Sequence, residues 1–330
     1  MKVVVFSTKS YDKEILTQVN KKYGHELSFL DVHLNQQTCK LAFGFEAVCV
    51  FVNDKLDKET LSALSKNGVR LIALRCAGFN NVDLVSAKDL NLTVVRVPVY
   101  SPHGVAEHTL ALILALNRKI HRAYNRVREG NFSLEGLLGF ELCAKTIGIV
   151  GTGHIGAVVT KIAQGLDMNV LAYDLKPNPE CVQRGVKYIP LQELFQKSDI
   201  ITLHAPLTKD SHHMINQETI LQMKHGVMLI NTSRGGLIDT AAVIKGLKSG
   251  RIGYLGLDVY EEEDKLFFDD LSGGVIQDDV FARLLTFPNV IITGHQAFLT
   301  ENALSKIAET TLGNISSFSQ GILDPQNVVK

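Results

Sequence analysis

Three kinds of side chain in the C-terminal half of this chain could together move a proton and a hydride at a carbonyl group. Arg234 stands in NTSRGGLID, immediately after the apolar run VMLI (227–230). A guanidinium there can grip a carboxylate through two parallel hydrogen bonds. His295 stands in TGHQAFL, after the run NVIIT (289–293). An imidazole can give its proton to a carbonyl oxygen as hydride arrives at the carbon. The segment YEEED (260–264) follows the run YLGLD (254–258) and offers Glu261, Glu262 and Glu263. A carboxylate beside an imidazole favours the charged ring, and composition alone leaves the three glutamates equally eligible. Of the eleven histidines, His121, His212, His213 and His225 read as surface residues. No H-x-x-x-H, H-E-x-x-H or cysteine–histidine set has metal-ligand spacing, so no metal is expected.

A hydride needs a carrier, and GTGHIG (Gly151, Gly153, Gly156) is the pattern that binds one. It directly follows the run TIGIV (146–150) and opens a helical stretch. The first glycine permits the tight turn, the second lets backbone approach a pyrophosphate, and the third lets the helix pack close to the strand. The helix N-terminus then offers N–H groups and the positive end of its dipole to the phosphates. Asp174 ends the next run, NVLAY (169–173), where a carboxylate accepts from the adenosine ribose hydroxyls and repels a 2′-phosphate. The expected cofactor is therefore NAD rather than NADP.

These residues share one placement: each follows a short apolar, β-branched run. The runs VVVF (3–6), LSFL (27–30), AVCVFV (47–52), RLIAL (70–74) and TVVRV (93–97) alternate with helical patterns such as Lys13–Lys21 and Lys58–Lys66. A second series contains TIGIV, NVLAY, DIITL (199–203), VMLI, YLGLD and NVIIT. Continuous apolar runs separated by helices are the grammar of parallel sheets buried on both faces. Ligands bind such sheets at the carboxyl ends of their strands, which is where the arginine, the histidine and the glycines fall. Between the two series, Ser101 to about Arg128 reads as one long helix, and a helical tail follows from Thr300 to Gln320. The stretch 261–279 holds eight acids and one lysine, an insertion long enough to be functional.

Composition narrows the classes further. The 330 residues favour two domains. With 34 basic and 34 acidic residues, the chain lacks the basic footprint of a nucleic-acid binder. Its longest apolar run, Leu110–Leu116, is far short of the ~20 residues that cross a membrane. Five scattered cysteines without a C-x-x-C motif read as reduced thiols, and with no secretion signal the expected compartment is the cytoplasm.

Taken in order, GTGHIG, NTSRG, DVYEEE and GHQAF resemble the D-isomer-specific 2-hydroxyacid dehydrogenases. The likeness begins at FSTKSYDKEIL, continues through RCAGFNNVDL and VVRVPVYSPHGVAEHTL, and ends at GHQAFLTENAL, so it spans essentially the whole chain. Within that family the chain looks most like the bacterial fermentative branch acting on pyruvate and D-lactate. The resemblance implies two doubly wound parallel-sheet α/β domains. A flavodoxin-like, substrate-binding catalytic domain would take residues 1–100 plus 297–330, and a Rossmann NAD-binding domain, 101–296, would be inserted into it, with the active site in the cleft. It further implies a homodimer or homotetramer.

Carried over residue by residue, the resemblance gives Arg234 as substrate binder, His295 as acid–base and Glu263 as its partner, the third residue after Tyr260. The amides of Ala77 and Gly78 would share the substrate carboxylate with Arg234, with Tyr100 and Phe298 beside it. For NAD it implies His154 and Ile155 at the pyrophosphate, Asp174 at the ribose, and Ala205 and Pro206 near the adenosine. Ser211, Thr232, Ser233 and Asp258 complete the set, with Asp258 toward the nicotinamide amide. Two positions depart from the family pattern: Phe298 stands where lactobacillus-type members have tyrosine, and Ser211 replaces a frequent asparagine. Relatives on this fold leave two alternatives, a dehydrogenase of a larger 2-oxo acid and an NAD-sensing scaffold. The complete arginine–glutamate–histidine set argues for chemistry.

Overall fold

A computed structural model describes residues 1–263 and 266–329; Asp264 and Lys265, inside the acidic stretch, and Lys330 lie outside the described residues. The chain divides into two compact units, Met1–Ser101 with Leu299–Lys330, and Pro102–Phe298.

The first unit is built on five strands: β1 (Lys2–Val5), β2 (Glu26–Phe29), β3 (Ala47–Val50), β4 (Leu71–Leu74) and β5 (Thr93–Val95). All pairs are parallel, in the order β2-β1-β3-β4-β5, the flavodoxin-like arrangement. Alternation along the strands sends successive side chains to opposite faces. Val4, Val48, Ile72 and Leu74 enter one core, with Leu61 and Leu64 of α2 (Lys58–Lys66). Val3, Val5, Ala47, Cys49, Leu71 and Ala73 enter the other. That second core is closed by α1 (Ser10–Asn20) and by α12 (Glu301–Gln320), through Leu16, Ala308, Leu312 and Ile315. A last connection, α3 (Leu84–Asp89), leads to β5. The chain end covers the free edge of β5: Val329 N–H donates to the Val94 carbonyl at 2.9 Å, and Arg96 N–H to Asn327 at 2.8 Å.

The second unit holds seven parallel strands: β6 (Thr146–Val150), β7 (Asn169–Tyr173), β8 (Lys187–Tyr188), β9 (Ile200–Leu203), β10 (Val227–Asn231), β11 (Ile252–Leu257) and β12 (Val290–Ile292). Their order, β12-β11-β10-β9-β6-β7-β8, reverses direction between β6 and β9. That is the Rossmann topology and its switch point. The short edge strand β8 carries no apolar run, KY being its whole length, so the sequence offered no signal for it. One face of the sheet packs Ile147, Ile149, Ile200, Met228 and Ile230 against α4 (Pro102–Arg118) and α6 (His154–Gly165). The other packs Ile201, Leu203, Leu229, Leu255 and Leu257 against α8 (Leu191–Lys197), α9 (Gln217–Gln222) and α10 (Thr240–Lys248). The short helices α7 (Pro179–Gln183) and α11 (Asp279–Leu285) are connections of one to two turns.

The single helix expected from Ser101 to Arg128 is two. It stops at Arg118, Lys119 turns to φ +51°, and α5 (Ile120–Arg128) starts afresh. The break falls where burial ends. Residues from Gly104 to Asn117 supply buried contacts in α4, whereas α5 buries none of its residues. Asn117 marks the boundary, its side-chain amide bonding both the N–H and the carbonyl of Phe140 at 2.8 and 2.7 Å. Lys119 in the left-handed region interrupts the helical ladder just beyond that clamp. All five cysteines are free thiols, four of them buried. No helix among the described residues is long and apolar enough to cross a membrane.

Candidate active site

The glycine loop sits at the switch point of the seven-stranded sheet. Gly151 has φ +91°, and a Cβ there would stand 2.7 Å from the His204 backbone carbonyl, so the turn from β6 into α6 requires glycine. A Cβ on Gly156 would come within 2.0 Å of the Gly151 carbonyl oxygen, which brings helix and strand together. Gly153 is different: a Cβ there meets nothing within 4 Å. The protein itself does not need a glycine at that point, whereas a ligand approaching the backbone would. Gly153 caps α6 without a side-chain acceptor, so the first-turn N–H groups face an open space that suits a phosphate.

Asp174 completes this cradle. Its Oδ2 accepts from Thr152 N–H at 2.6 Å and Thr152 Oγ1 at 3.0 Å, and its Oδ1 accepts from Lys176 N–H at 3.1 Å. Partial burial pushes the carboxyl pKa up, but the bonds from Thr152 and Lys176 outweigh it and hold the group below its ordinary range. An ionised carboxylate at this edge accepts ribose hydroxyls and repels a 2′-phosphate. Across the switch point, Ala205 and Pro206 follow β9. Their carbonyls accept from Ser233 Oγ and Ser211 Oγ, each at 2.7 Å, while Thr232 Oγ1 is bonded to Thr109 Oγ1 at 2.8 Å. These hydroxyls, expected at the cofactor, shape the loop that would border it. Burial pushes the neighbouring His204 imidazole down to about 3, so that ring is neutral.

The side chains expected to react gather where β11 and β12 end. His295 Nδ1 lies 2.8 Å from Glu263 Oε1, and Glu263 Oε2 accepts from Tyr260 N–H at 3.0 Å. Of the three eligible glutamates the fold selects Glu263 for His295; Glu261 pairs with His213 instead. With Nδ1 turned to the carboxylate, Nε2 is the nitrogen left to exchange a proton. Below the ring lies Asp258, fully buried. Its carboxylate accepts from Thr293 Oγ1 (2.5 Å) and from the N–H groups of Gln296 and Ala297 (2.9 Å each), with His108 Nε2 3.4 Å away. Its own carbonyl accepts from His295 N–H at 2.7 Å. Burial pushes the Asp258 pKa up, and the bonds from His108, Thr293 and Ala297 more than offset this and hold it low. Asp258 was expected at the nicotinamide amide; in this chain its carboxylate first serves to seat His295.

Arg234 projects from the turn after β10, half-buried. Its Nη1 donates to the Ser233 carbonyl at 2.7 Å, and among the described residues no carboxylate pairs with it. Asn231 sets the turn, accepting from Ser233 N–H at 3.0 Å and donating to the Arg234 carbonyl at 2.8 Å. Gly235 is obligatory, because a Cβ would fall 2.1 Å from the Tyr260 carbonyl. The sequence reading passed over His108, Asn231 and Gly235. It also passed over Phe268, whose ring centroid is 5.7 Å from that of His295. Only the glycine pair after Arg234 hinted at the close approach.

In the first unit, Ala77 and Gly78 follow β4. Their carbonyls are occupied by Arg96 Nη1 (3.0 Å) and the Cys76 thiol (3.2 Å), and their amides donate to no group among the described residues. Two free N–H groups at a strand's carboxyl end suit an anion. Tyr100, half-buried, stands one residue before the end of this unit's first segment, and Phe298 ends the second unit, buried beside Ala297.

Residues 110–297 match the family model for the D-isomer specific 2-hydroxyacid dehydrogenase NAD binding domain. The chain belongs to the D-isomer-specific 2-hydroxyacid dehydrogenases. Among its relatives in this family, D-lactate dehydrogenase of Escherichia coli is 54% identical over 329 residues, covering 100% of both chains. An apo structure of that enzyme from E. coli matches with a TM-score of 0.91 at 51% identity, and a Salmonella D-lactate dehydrogenase structure with 0.87 at 55%, each covering 100% of both chains. Like other members of its family, the chain is an NAD-binding oxidoreductase acting on a small molecule. Asp174→Ala should therefore weaken NADH binding by about tenfold and narrow the preference over NADPH, since roughly 1.4 kcal/mol is a factor of ten. Fluorescence titration with both cofactors checks this; an unchanged preference would count against Asp174 as the ribose contact.

Proposed function

We propose that this protein is a D-lactate dehydrogenase that interconverts pyruvate and D-lactate. The reading is carried by the His295–Glu263 pair, held 2.8 Å apart on the sheet edge that also bears Arg234, with which no carboxylate among the described residues pairs. Two relatives with about half their residues in common with this chain over full length, from E. coli and Salmonella, are named D-lactate dehydrogenases, which favours pyruvate over a larger 2-oxo acid.

In this mechanism Arg234 grips the substrate carboxylate, helped by the amides of Ala77 and Gly78, and polarises the keto oxygen. Tyr100 and Phe298 border the substrate. Bound NADH supplies the hydride to the carbonyl carbon. His295 holds the transferable proton at Nε2 and gives it to the oxygen that becomes the hydroxyl; Glu263 keeps the ring oriented and balances its charge. His154 and Ile155 offer their amides to the pyrophosphate, Asp174 takes the ribose, and Ala205, Pro206, Ser211, Thr232 and Ser233 line the remainder. The first unit is read as the substrate-binding domain. Free thiols throughout fit a reducing cytoplasm.

We also read the protein as a homo-oligomer, at least a dimer, joined through the inserted unit. Six large apolar side chains, Ile120, Tyr124, Val127, Phe132, Leu134 and Leu138, are more than half exposed on α5 and the segment after it. Arg126 fixes that segment by donating to the Glu135 carbonyl at 2.7 Å. Monomers seldom leave such a patch open, and a second copy presents the same face to it.

Four outcomes follow. Purified protein should oxidise NADH faster with pyruvate than with 2-oxobutyrate, 2-oxoisocaproate, phenylpyruvate or glyoxylate, and only D-lactate should drive the reverse. His295→Ala should lower turnover ~10²–10⁴-fold with NADH affinity kept; equal loss of NADH binding would refute its role, and cofactor binding without any turnover in the native protein would favour a scaffold. Glu263→Gln keeps an acceptor but removes the charge, so the charged imidazole is less favoured. Pyruvate reduction, which needs that proton, should then fall away at lower pH than in the native enzyme; an unmoved pH–rate profile sinks the assignment. By light scattering the native protein should be a dimer or larger, and Leu134→Asp with Leu138→Asp should yield monomers. A monomeric native protein would overturn the interface.

A further inference from the structure

The loop after β9 and the segment that carries Glu263 also assemble a second histidine–glutamate cluster that no motif announces. His213 Nε2 lies 2.5 Å from Glu261 Oε1, a contact between residues 48 positions apart. The His212 ring stacks on that of His213, with centroids 3.8 Å apart and planes inclined by 24°. One donor atom from each of His212, His213 and Glu261 falls within 4.8 Å of the other two.

The cluster is supported from behind. Glu261 Oε2 accepts from Thr240 Oγ1 at 3.1 Å and from its N–H at 3.4 Å. His213 sits at φ +51°, a conformation that costs a side-chain-bearing residue stability and recurs at ligand clamps. Its N–H is anchored on the Gly236 carbonyl at 2.9 Å.

Two imidazoles and one carboxylate form the donor set that zinc uses at open, three-ligand sites, with water in the fourth position. Imidazole nitrogens suit zinc and its neighbours in the transition series, whereas magnesium and calcium prefer oxygen. Zinc ligands about 2.0–2.2 Å from the ion stand roughly 3.3 Å from one another. The cluster reaches that spacing if exposed His212 rotates inward and the short His213–Glu261 contact opens slightly. The fourth position is accessible, because the side chains of His213 and Glu261 keep 34% and 26% of their surface.

We propose that His212, His213 and Glu261 form a binding site for a zinc-class divalent ion. Its position gives it a consequence. Glu261 stands two residues before Glu263, and His213 is bonded to Gly236, two residues after Arg234. An ion here ties the loop after β9, which braces the Arg234 turn through Gly236, to the segment that carries Glu263, without touching Arg234, Glu263 or His295.

The test is titration calorimetry of zinc chloride into the full-length protein after chelator treatment, alongside thermal melting. The native protein should bind one zinc per chain tighter than about 10 µM and melt about 5 °C higher with saturating zinc. His212→Ala removes an exposed ligand only. It should weaken binding by about 100-fold and abolish the melting shift, with an unchanged circular dichroism spectrum and unchanged zinc-free activity. His295→Ala should bind zinc as the native protein does. Absence of binding in that range overturns the site, and so does binding that survives His212→Ala or disappears with His295→Ala. Because the readouts are heat and melting temperature, the result stands whether or not the chain reduces pyruvate.

Discussion

Asp258 ends β11 with no surface exposed to solvent, and a buried carboxylate is tolerable only where donors surround it. Here they come from three directions: Thr293 from the end of β12, the backbone of Gln296 and Ala297 beyond it, and His108 from α4. The charge stays because these bonds outweigh the cost of burial. The backbone that supplies them is thereby fixed, and His295 lies within it, its own N–H tied to the Asp258 carbonyl. The orientation of the imidazole is thus a by-product of solvating one charge.

The two sheets impose the other constraint. In a parallel sheet every strand runs the same way, so each connection after a strand's carboxyl end opens on the same edge. The glycine loop after β6, Ala205 after β9, Arg234 after β10, Glu263 after β11 and His295 after β12 are therefore neighbours by topology before any side chain chooses a partner. The order reversal between β6 and β9 separates the helices there and leaves the open space above Gly153 that a pyrophosphate can enter. Ala77 and Gly78 hold the corresponding place after β4 in the first unit.

This explains which features could be read from the sequence. Apolar runs mark the strands, and a residue just after a run lies on the functional edge; that rule alone reached Gly151, Asp174, Arg234 and His295. It could not choose among Glu261, Glu262 and Glu263, because pairing is a matter of three-dimensional direction: Glu263 meets His295 32 residues away, while Glu261 meets His213. His108 was invisible for the same reason, lying 185 residues from its Thr293 partner on a helix whose pattern signals only packing. The two-residue strand β8 was missed for want of an apolar run. The break at Lys119 was missed because periodicity continues past it; what changes there is the loss of a surface to pack against, which a one-dimensional pattern does not record.

Two of the residues around the imidazole carry backbone strain. His295 at φ +52° and Phe268 at φ +73° each occupy a conformation that costs about 1–3 kcal/mol outside glycine. Such positions persist only where the surroundings over-determine them. For His295 that is the Asp258 carbonyl on its N–H and Glu263 on its ring. For Phe268 it is the preceding Phe267, buried against Phe281 at 5.9 Å, with Phe281 packed on Tyr260 at 5.1 Å and the Tyr260 hydroxyl donating to Asp278 at 2.8 Å. That chain of contacts runs through the acidic insertion. It delivers an aromatic ring to one side of the imidazole while Glu263, from the same segment, holds the other end. A proton donor must keep its direction as charge moves to the oxygen it serves. A segment anchored by its aromatic residues can supply that rigidity. Three of its acids are part of the same framework, Glu263 on His295, Glu261 on His213 and Asp278 on the Tyr260 hydroxyl.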